Sequence, residues 1–219
     1  MQVIPGINAA DFGAVKEKIL MIKEFLPLDG WIHIDVTDGL FTLNVTWSNP
    51  SDLGRFLAEH LPLRKINFEI HLMVKNPERI IEDWLKAEAS RLIVHEEAIV
   101  DPELILAKCE EYGAQVMIAI KPETPVEKLK PFFKDFEYFQ ILAVKAGPSD
   151  QEFNADVINK IRFLREQLPH AKIEVDGGIN PEVAREVKEA GADIAVSTSY
   201  ISQSSNPAFS FKELLKAAS

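Results

Sequence analysis

His33, Asp35, His71 and Asp176 are the residue types that a catalytic divalent cation needs: two imidazoles and two carboxylates, each at the end of a short apolar run. The first pair lies in Trp31-Ile32-His33-Ile34-Asp35-Val36. Strand side chains alternate faces, so His33 and Asp35 share one face while Ile32, Ile34 and Val36 take the other. His71 lies in Phe68-Glu69-Ile70-His71-Leu72-Met73-Val74, and Asp176 closes Ile173-Glu174-Val175-Asp176 just before Gly177-Gly178. Polar groups in such runs are costly to bury unless they are paired or hold something. Taken singly, His33 or His71 reads as a satisfied core histidine and Asp176 as a turn residue. Together they read as a metal centre. Two His and two Asp suit Zn, Fe(II), Mn or Co alike.

The remaining chemistry-bearing residues are fewer. His95 and Glu97 share one face of another run and read as a buried hydrogen-bonded pair supporting the site, with direct substrate contact as the alternative. His60 and His170 fall at helix ends and are expected in solvent. Cys109, the single cysteine, follows Leu104, Ile105 and Leu106 in a helical pattern and is expected to be inert. It has no partner for an internal disulfide, which suits a reducing cytoplasm.

The elements that must position these residues alternate along the whole chain. Strand-like runs fall near 2–8, 31–36, 66–74, 91–96, 115–121, 138–144, 172–176 and 194–198. Helical patterns fall near 11–26, 51–60, 77–88, 101–112, 125–132, 154–167, 181–190 and 208–217. Asn76-Pro77, Asp101-Pro102, Thr124-Pro125 and Asn180-Pro181 each set a capping residue before a proline suited to the first helical position. Gly113 and Gly191 sit where helices should stop. Eight β-α units in 219 residues predict one (β/α)8 barrel domain over 1–219, with a doubly wound open sheet as the competitor. The count of eight favours the barrel. So does the recurrence of polar residues at strand ends spread along the chain, because a barrel gathers those ends into one ring.

Composition excludes other classes. A net charge of -10 and a pI near 5.1 argue against a nucleic-acid backbone or an anionic membrane as partner. No apolar run approaches the roughly 20 residues of a membrane span. Met-Gln-Val-Ile-Pro-Gly shows no basic region followed by a long apolar stretch, so no secretion signal is expected and the cytoplasm is the expected location.

Several motifs, in order and at barrel spacing, resemble the ribulose-phosphate 3-epimerase family, from Val3 to about Ile201. The strongest are His33-Ile34-Asp35-Val36-Thr37-Asp38-Gly39, Glu69-Ile70-His71-Leu72-Met73-Val74 and Glu174-Val175-Asp176-Gly177-Gly178-Ile179. Ala10-Asp11-Phe12, His95-Glu96-Glu97-Ala98, Lys121-Pro122-Glu123-Thr124-Pro125 and Gln151-Glu152-Phe153 support them. The resemblance implies a TIM barrel of the ribulose-phosphate-binding type. It implies one divalent ion held by His33, Asp35, His71 and Asp176, with Asp35 and Asp176 also shuttling the proton. It implies interconversion of D-ribulose 5-phosphate and D-xylulose 5-phosphate through a metal-stabilised enediolate, in the pentose phosphate pathway. Epimerisation beside a ketone takes a proton from one face and returns one to the other, so two carboxylates from strands far apart around a ring suit it. A sugar phosphate is the implied partner and a homo-oligomer the implied assembly, although no diagnostic interface is legible.

The chain departs from the family pattern mainly where substrate binds. The family's serine after the first-strand proline is Gly6 here. Of three cavity methionines only Met73 remains, with Thr37 and Leu142 at the other two positions. A family Pro-Gly followed by Gly-Gly-Gln becomes Ala146-Gly147-Pro148-Ser149-Asp150-Gln151, and a family Gly-Ser becomes Thr198-Ser199. Met73, Gly147, Gln151, Gly177, Gly178 and Ser199 are therefore the expected substrate contacts. Phosphate would rest mainly on the amides around Gly177, Gly178 and Ser199, opposed by the Asp150 charge. Two alternatives stay open: a related epimerase or isomerase with a different, unphosphorylated substrate, and a non-catalytic metal-binding paralogue.

Overall fold

Runs rich in Ile, Val, Leu and Phe become strands because branched and aromatic side chains pack well on a pleated surface. The computed structural model describes residues 1–60 and 66–219. Its strands are β1 (Gln2–Ile7), β2 (Trp31–Thr37), β3 (Asn67–Met73), β4 (Arg91–His95), β5 (Gln115–Ile120), β6 (Tyr138–Leu142), β7 (Lys172–Asp176) and β8 (Ile194–Ser197). They lie in chain order as a closed barrel, with β1 parallel to β8. The helices are α1 (Phe12–Lys23), α2 (Pro50–His60), α3 (Ile81–Lys86), α4 (Pro102–Tyr112), α5 (Val157–Gln167), α6 (Pro181–Ala190), α7 (Ser199–Ser202) and α8 (Pro207–Ala217). Among the described residues no helix is long and apolar enough to cross a membrane.

The described residues form two compact units. In the unit Ile7–Val116, residue parity divides the strands. Ile32, Ile34, Val36, Phe68, Ile70, Leu72, Leu92 and Val94 are almost fully buried, as are the helix residues Ile19, Leu53, Trp84 and Ile105. Each such side chain contributes roughly 1.5–3 kcal/mol relative to exposure. The opposite parity carries His33, Asp35, Glu69, His71, Arg91 and His95, all buried too. Register fixes who meets whom: His33 stands opposite Glu69, Asp35 opposite His71, and Glu69 opposite Arg91. Asp101 caps α4 by accepting from Leu104 N, and Gly113 ends it with φ 69°. The 77–88 region is a 3-10 turn (Pro77–Arg79) followed by the short α3, because Ile80 leaves the helical conformation between them.

The unit Met1–Gly6 with Met117–Ser219 holds most of β1 and β5, then β6 to β8. Leu142 stands opposite Asp176, and Asp176 opposite Val196. The 125–132 region, read from sequence as a helix, is a 3-10 segment over Val126–Phe132 with Pro131 inside it. Pro131 has no N–H to give an α-helical ladder. Pro125, rather than Thr124, stands at the N-cap of this segment. Asn180 caps α6, and Gly191 ends it with φ 112°. The short α7 at the end of β8 has no periodic pattern long enough to be read from sequence.

Candidate metal centre and its surroundings

Two neighbouring strands build most of the centre. Asp35 Oδ1 lies 3.2 Å from His33 Nε2 and 3.2 Å from His71 Nδ1. Its other oxygen accepts from Asn8 Nδ2 at 3.0 Å, and the Asn8 carbonyl accepts from Lys18 Nζ at 2.9 Å. The backbone of Asp35 is held as well, because Thr46 Oγ1 donates to its carbonyl at 2.9 Å. Both carboxylate oxygens are therefore oriented, one toward the imidazoles and one toward Asn8.

The outer nitrogens of both histidines have partners. His33 Nδ1 meets Glu69 Oε1 at 2.8 Å, and Glu69 Oε2 accepts from Arg91 at 2.5 Å. Arg91 also donates twice to Gln115 Oε1 and stacks on Trp31, 4.2 Å from the ring centroid. His71 Nε2 meets His95 Nε2 at 2.8 Å, and His95 Nδ1 meets Glu97 Oε2 at 3.1 Å. The His71 and His95 rings stack, and the Phe41 ring lies against His95 with centroids 4.8 Å apart.

Proton accounting shows what this arrangement fits. A neutral imidazole has one N–H. His33 spends its proton on Glu69 through Nδ1, leaving an Nε2 lone pair aimed at Asp35. His95 donates from Nδ1 to Glu97 and so accepts at Nε2. His71 must then carry its proton on Nε2, leaving a lone pair on Nδ1, also aimed at Asp35. Two lone pairs and a carboxylate oxygen converge with no proton among them, which suits a cation. Edges near 3.2 Å match the roughly 3.3 Å separating ligand atoms around a tetrahedral ion with bonds near 2.0 Å. One ligand atom each from His33, Asp35, His71 and Asp176 lies within 4.8 Å of the others. The donor set thus fits a divalent ion, and Glu69 and His95 provide the outer hydrogen bonds that ligating histidines usually have.

Burial pushes the Asp35 carboxyl up, but hydrogen bonds and charge from His33 and His71 in their protonated form, which a bound cation would replace, outweigh it and hold Asp35 well below the usual carboxylate range. Glu69 is likewise raised by burial and lowered, in the balance, by His33 and Arg91. Lys18 is lowered by burial, against the opposing pull of Asp35.

The other expected site residues are placed as follows. Met73 ends β3, buried and opposite Thr37. Leu142 ends β6, also buried. Gly147 has φ 110° in the β6–α5 loop, whose residue Gln151 donates to the carbonyls of Lys145 and Pro148. Gly177 and Gly178 have φ of 108° and 69°, and Ser199 opens α7. The Gly6 exchange has a local reason: a Cβ there would sit 2.1 Å from Thr198 Oγ1, so Gly6 and Thr198 accommodate each other. Cys109 is buried, with burial pushing its thiol up to about 12, while His60 and His170 are exposed, as expected. Asn8 and Glu69 were not singled out from sequence. Glu69 had a signal, since it shares the strand face of His71. Asn8 had none.

A closed parallel barrel with a His–Asp cluster able to hold a divalent ion defines a (β/α)8-barrel enzyme class. A sequence model described as the Ribulose-phosphate 3 epimerase family matches residues 2–202, and the chain belongs to that family. It is thus an isomerase of the carbohydrate epimerase kind, and the pentose phosphate pathway fits the family. It is 35% identical to a ribulose-phosphate 3-epimerase of Chlamydia muridarum, over 90% of this chain and 86% of the relative. It is 30% identical to that of Schizosaccharomyces pombe, over 94% and 89%. Among solved structures, 3-hexulose-6-phosphate synthase from Salmonella typhimurium superposes with a TM-score of 0.73 at 13% identity, covering 100% of this chain and 98% of that one. That likeness concerns the fold alone.

Proposed function

We propose that the chain catalyses metal-dependent epimerisation of a ketose at the carbon beside its carbonyl, with Asp35 and Asp176 as the acid-base pair. The carrying observation is the convergence of His33, Asp35, His71 and Asp176 within 4.8 Å, with proton-free lone pairs facing Asp35. D-ribulose 5-phosphate to D-xylulose 5-phosphate is the reaction suggested by the relatives' name. A ketose without the phosphate is the second reading, favoured by the Asp150 and Glu152 carboxylates in the lining of a cavity that also includes Gly178 and Ser199.

Asp35 and Asp176 act from opposite faces of the substrate: one takes the proton from carbon, the other returns one to the opposite side, and their roles exchange in the reverse direction. A divalent ion held by the four side chains supplies Lewis-acid stabilisation of the charge that builds on the ketose oxygens. Asn8 holds the outer oxygen of Asp35 in place, and Glu69 and His95 keep the lone pairs of His33 and His71 turned inward.

The test is solvent deuterium entering the epimerised carbon during turnover by metal-loaded protein. Asp35→Asn and Asp176→Asn are each expected to lower turnover by roughly 100- to 10,000-fold. Epimerisation without exchange from solvent rules the proton-transfer reading out.

A further inference from the structure

The two oxygens of Asp35 lie in different surroundings, which bears on how proton transfer is kept apart from cation binding; the inference rests on the epimerase reading above. Asp35 Oδ1 faces His33 Nε2 and His71 Nδ1, at 3.2 Å from each. Asp35 Oδ2 accepts from Asn8 Nδ2 at 3.0 Å. An ionised carboxylate oxygen offers about two lone-pair sites, so Oδ2 can take a proton beside the Asn8 bond. Oδ1 stands where a ligand atom is needed, and Oδ2 is the oxygen left to exchange a proton with carbon.

Asn8 is itself held in the β1–α1 loop from two directions. Its carbonyl accepts from Lys18 Nζ of α1 at 2.9 Å. The next carbonyl, of Ala9, accepts from Trp47 N at 2.9 Å, and the Phe12 ring lies on Trp47 with centroids 5.0 Å apart. Asp11 caps α1 by accepting from Ala14 N, which fixes where the helix starts and where Lys18 reaches back. Lys18 is half-buried; burial lowers its pKa while the Asp35 charge raises it, so the two charges sense each other across Asn8. An ammonium spent on a loop carbonyl costs more desolvation than an apolar side chain in the same place.

We propose that Asn8 is a positioning residue, anchored by Lys18, that divides the work of Asp35: Oδ1 for the cation and Oδ2 for the proton exchanged with the ketose carbon. In that step the C–H bond beside the carbonyl breaks and its proton goes to Oδ2. The freed electron pair forms the C=C bond of an enediolate as the C=O π pair moves onto oxygen, and Asp176 returns a proton to the opposite face. Carboxylates bind cations through one oxygen or two. Without the Asn8 N–H, Asp35 can turn both oxygens to the cation, which keeps the ion and loses the base.

The full chain, reloaded with Mn(II) or Zn(II), is assayed with D-ribulose 5-phosphate and D-xylulose 5-phosphate. Asn8→Ala is expected to lower kcat about 10- to 100-fold, with KM and the metal dissociation constant, read by competition with a chelating dye, kept within about threefold. Lys18→Met is expected to lower kcat about 3- to 10-fold, and Lys18→Arg, which keeps a donor for the Asn8 carbonyl, to recover most of it. In Asn8→Ala the kinetic isotope effect of deuterium on the reacting carbon is expected to rise for the epimer that gives its proton to Asp35 and not for the other, because only the Asp35 step is slowed. The two Lys18 variants decide the matter if Asn8→Ala fails to fold. Wild-type kcat in Asn8→Ala or Lys18→Met, or metal affinity that falls in step with kcat, overturns the division of labour and leaves the epimerase reading intact. A metal-loaded wild type that moves no proton on either ketose phosphate overturns the epimerase reading, and this inference with it.

Discussion

Removing the Glu97 carboxylate should weaken divalent-ion binding although Glu97 is not among the expected ligands. The path runs from Glu97 Oε2 to His95 Nδ1 at 3.1 Å, and from His95 Nε2 to His71 Nε2 at 2.8 Å. It keeps the His71 proton on Nε2 and the Nδ1 lone pair toward Asp35. Outer hydrogen bonds of this kind are worth about 10- to 100-fold in metal affinity, or roughly 1.4–2.7 kcal/mol. The Glu97 side chain is 19% exposed, so water replaces part of what it provides, placing Glu97→Ala near the tenfold end. Glu69 lies at 2.8 Å from His33 with both side chains 0% exposed, so removing that acceptor should cost more. Glu97→Gln retains a carbonyl acceptor and should recover most of the loss. The assay is competition with a chelating dye for Zn(II) or Mn(II), alongside thermal melts of the metal-free proteins. Wild-type affinity in Glu97→Ala, with only the melting temperature changed, would refute the relay and leave Glu97 a structural residue.

Other outcomes follow from single positions. Gly178→Ala forces a side chain onto φ 69° and into the Phe153 backbone, and should cost about 1–3 kcal/mol, read from the urea midpoint. An unchanged midpoint contradicts the close approach of the Phe153 backbone to Gly178. Cys109, buried with its thiol pushed up to about 12, should resist a disulfide reagent at pH 8 in the folded protein and react at once in urea. The folded pKa of Glu69 lies below its ordinary value, so its contribution to stability is fully present above about pH 4.3 and is lost as pH falls through the folded value. Stability should therefore drop more steeply below that pH in the wild type than in Glu69→Gln, and equal slopes would remove Glu69 from the acid response.

Much of this was legible without coordinates because it is local. Alternation put His33 and Asp35 on one face, and all eight strand runs became strands. Proline and glycine marked the ends of α4 and α6 for the same reason: a missing N–H and a permitted positive φ are properties of single residues. The 125–132 region escaped because an apolar helical spacing does not reveal the ladder bond that Pro131 removes.

Strand register and ring stacking are long-range and belong to the tertiary structure. No spacing in the chain states that Asp35 stands opposite His71, that His33 meets Glu69, or that His95 passes a hydrogen bond to His71. Nor does it state that Thr198, near the other end of the chain, occupies the space left by Gly6. The sequence by itself determined which residue types stand at the strand ends. The fold decided which lone pairs converge, because that depends on how strands pair and on which buried partner takes each imidazole proton.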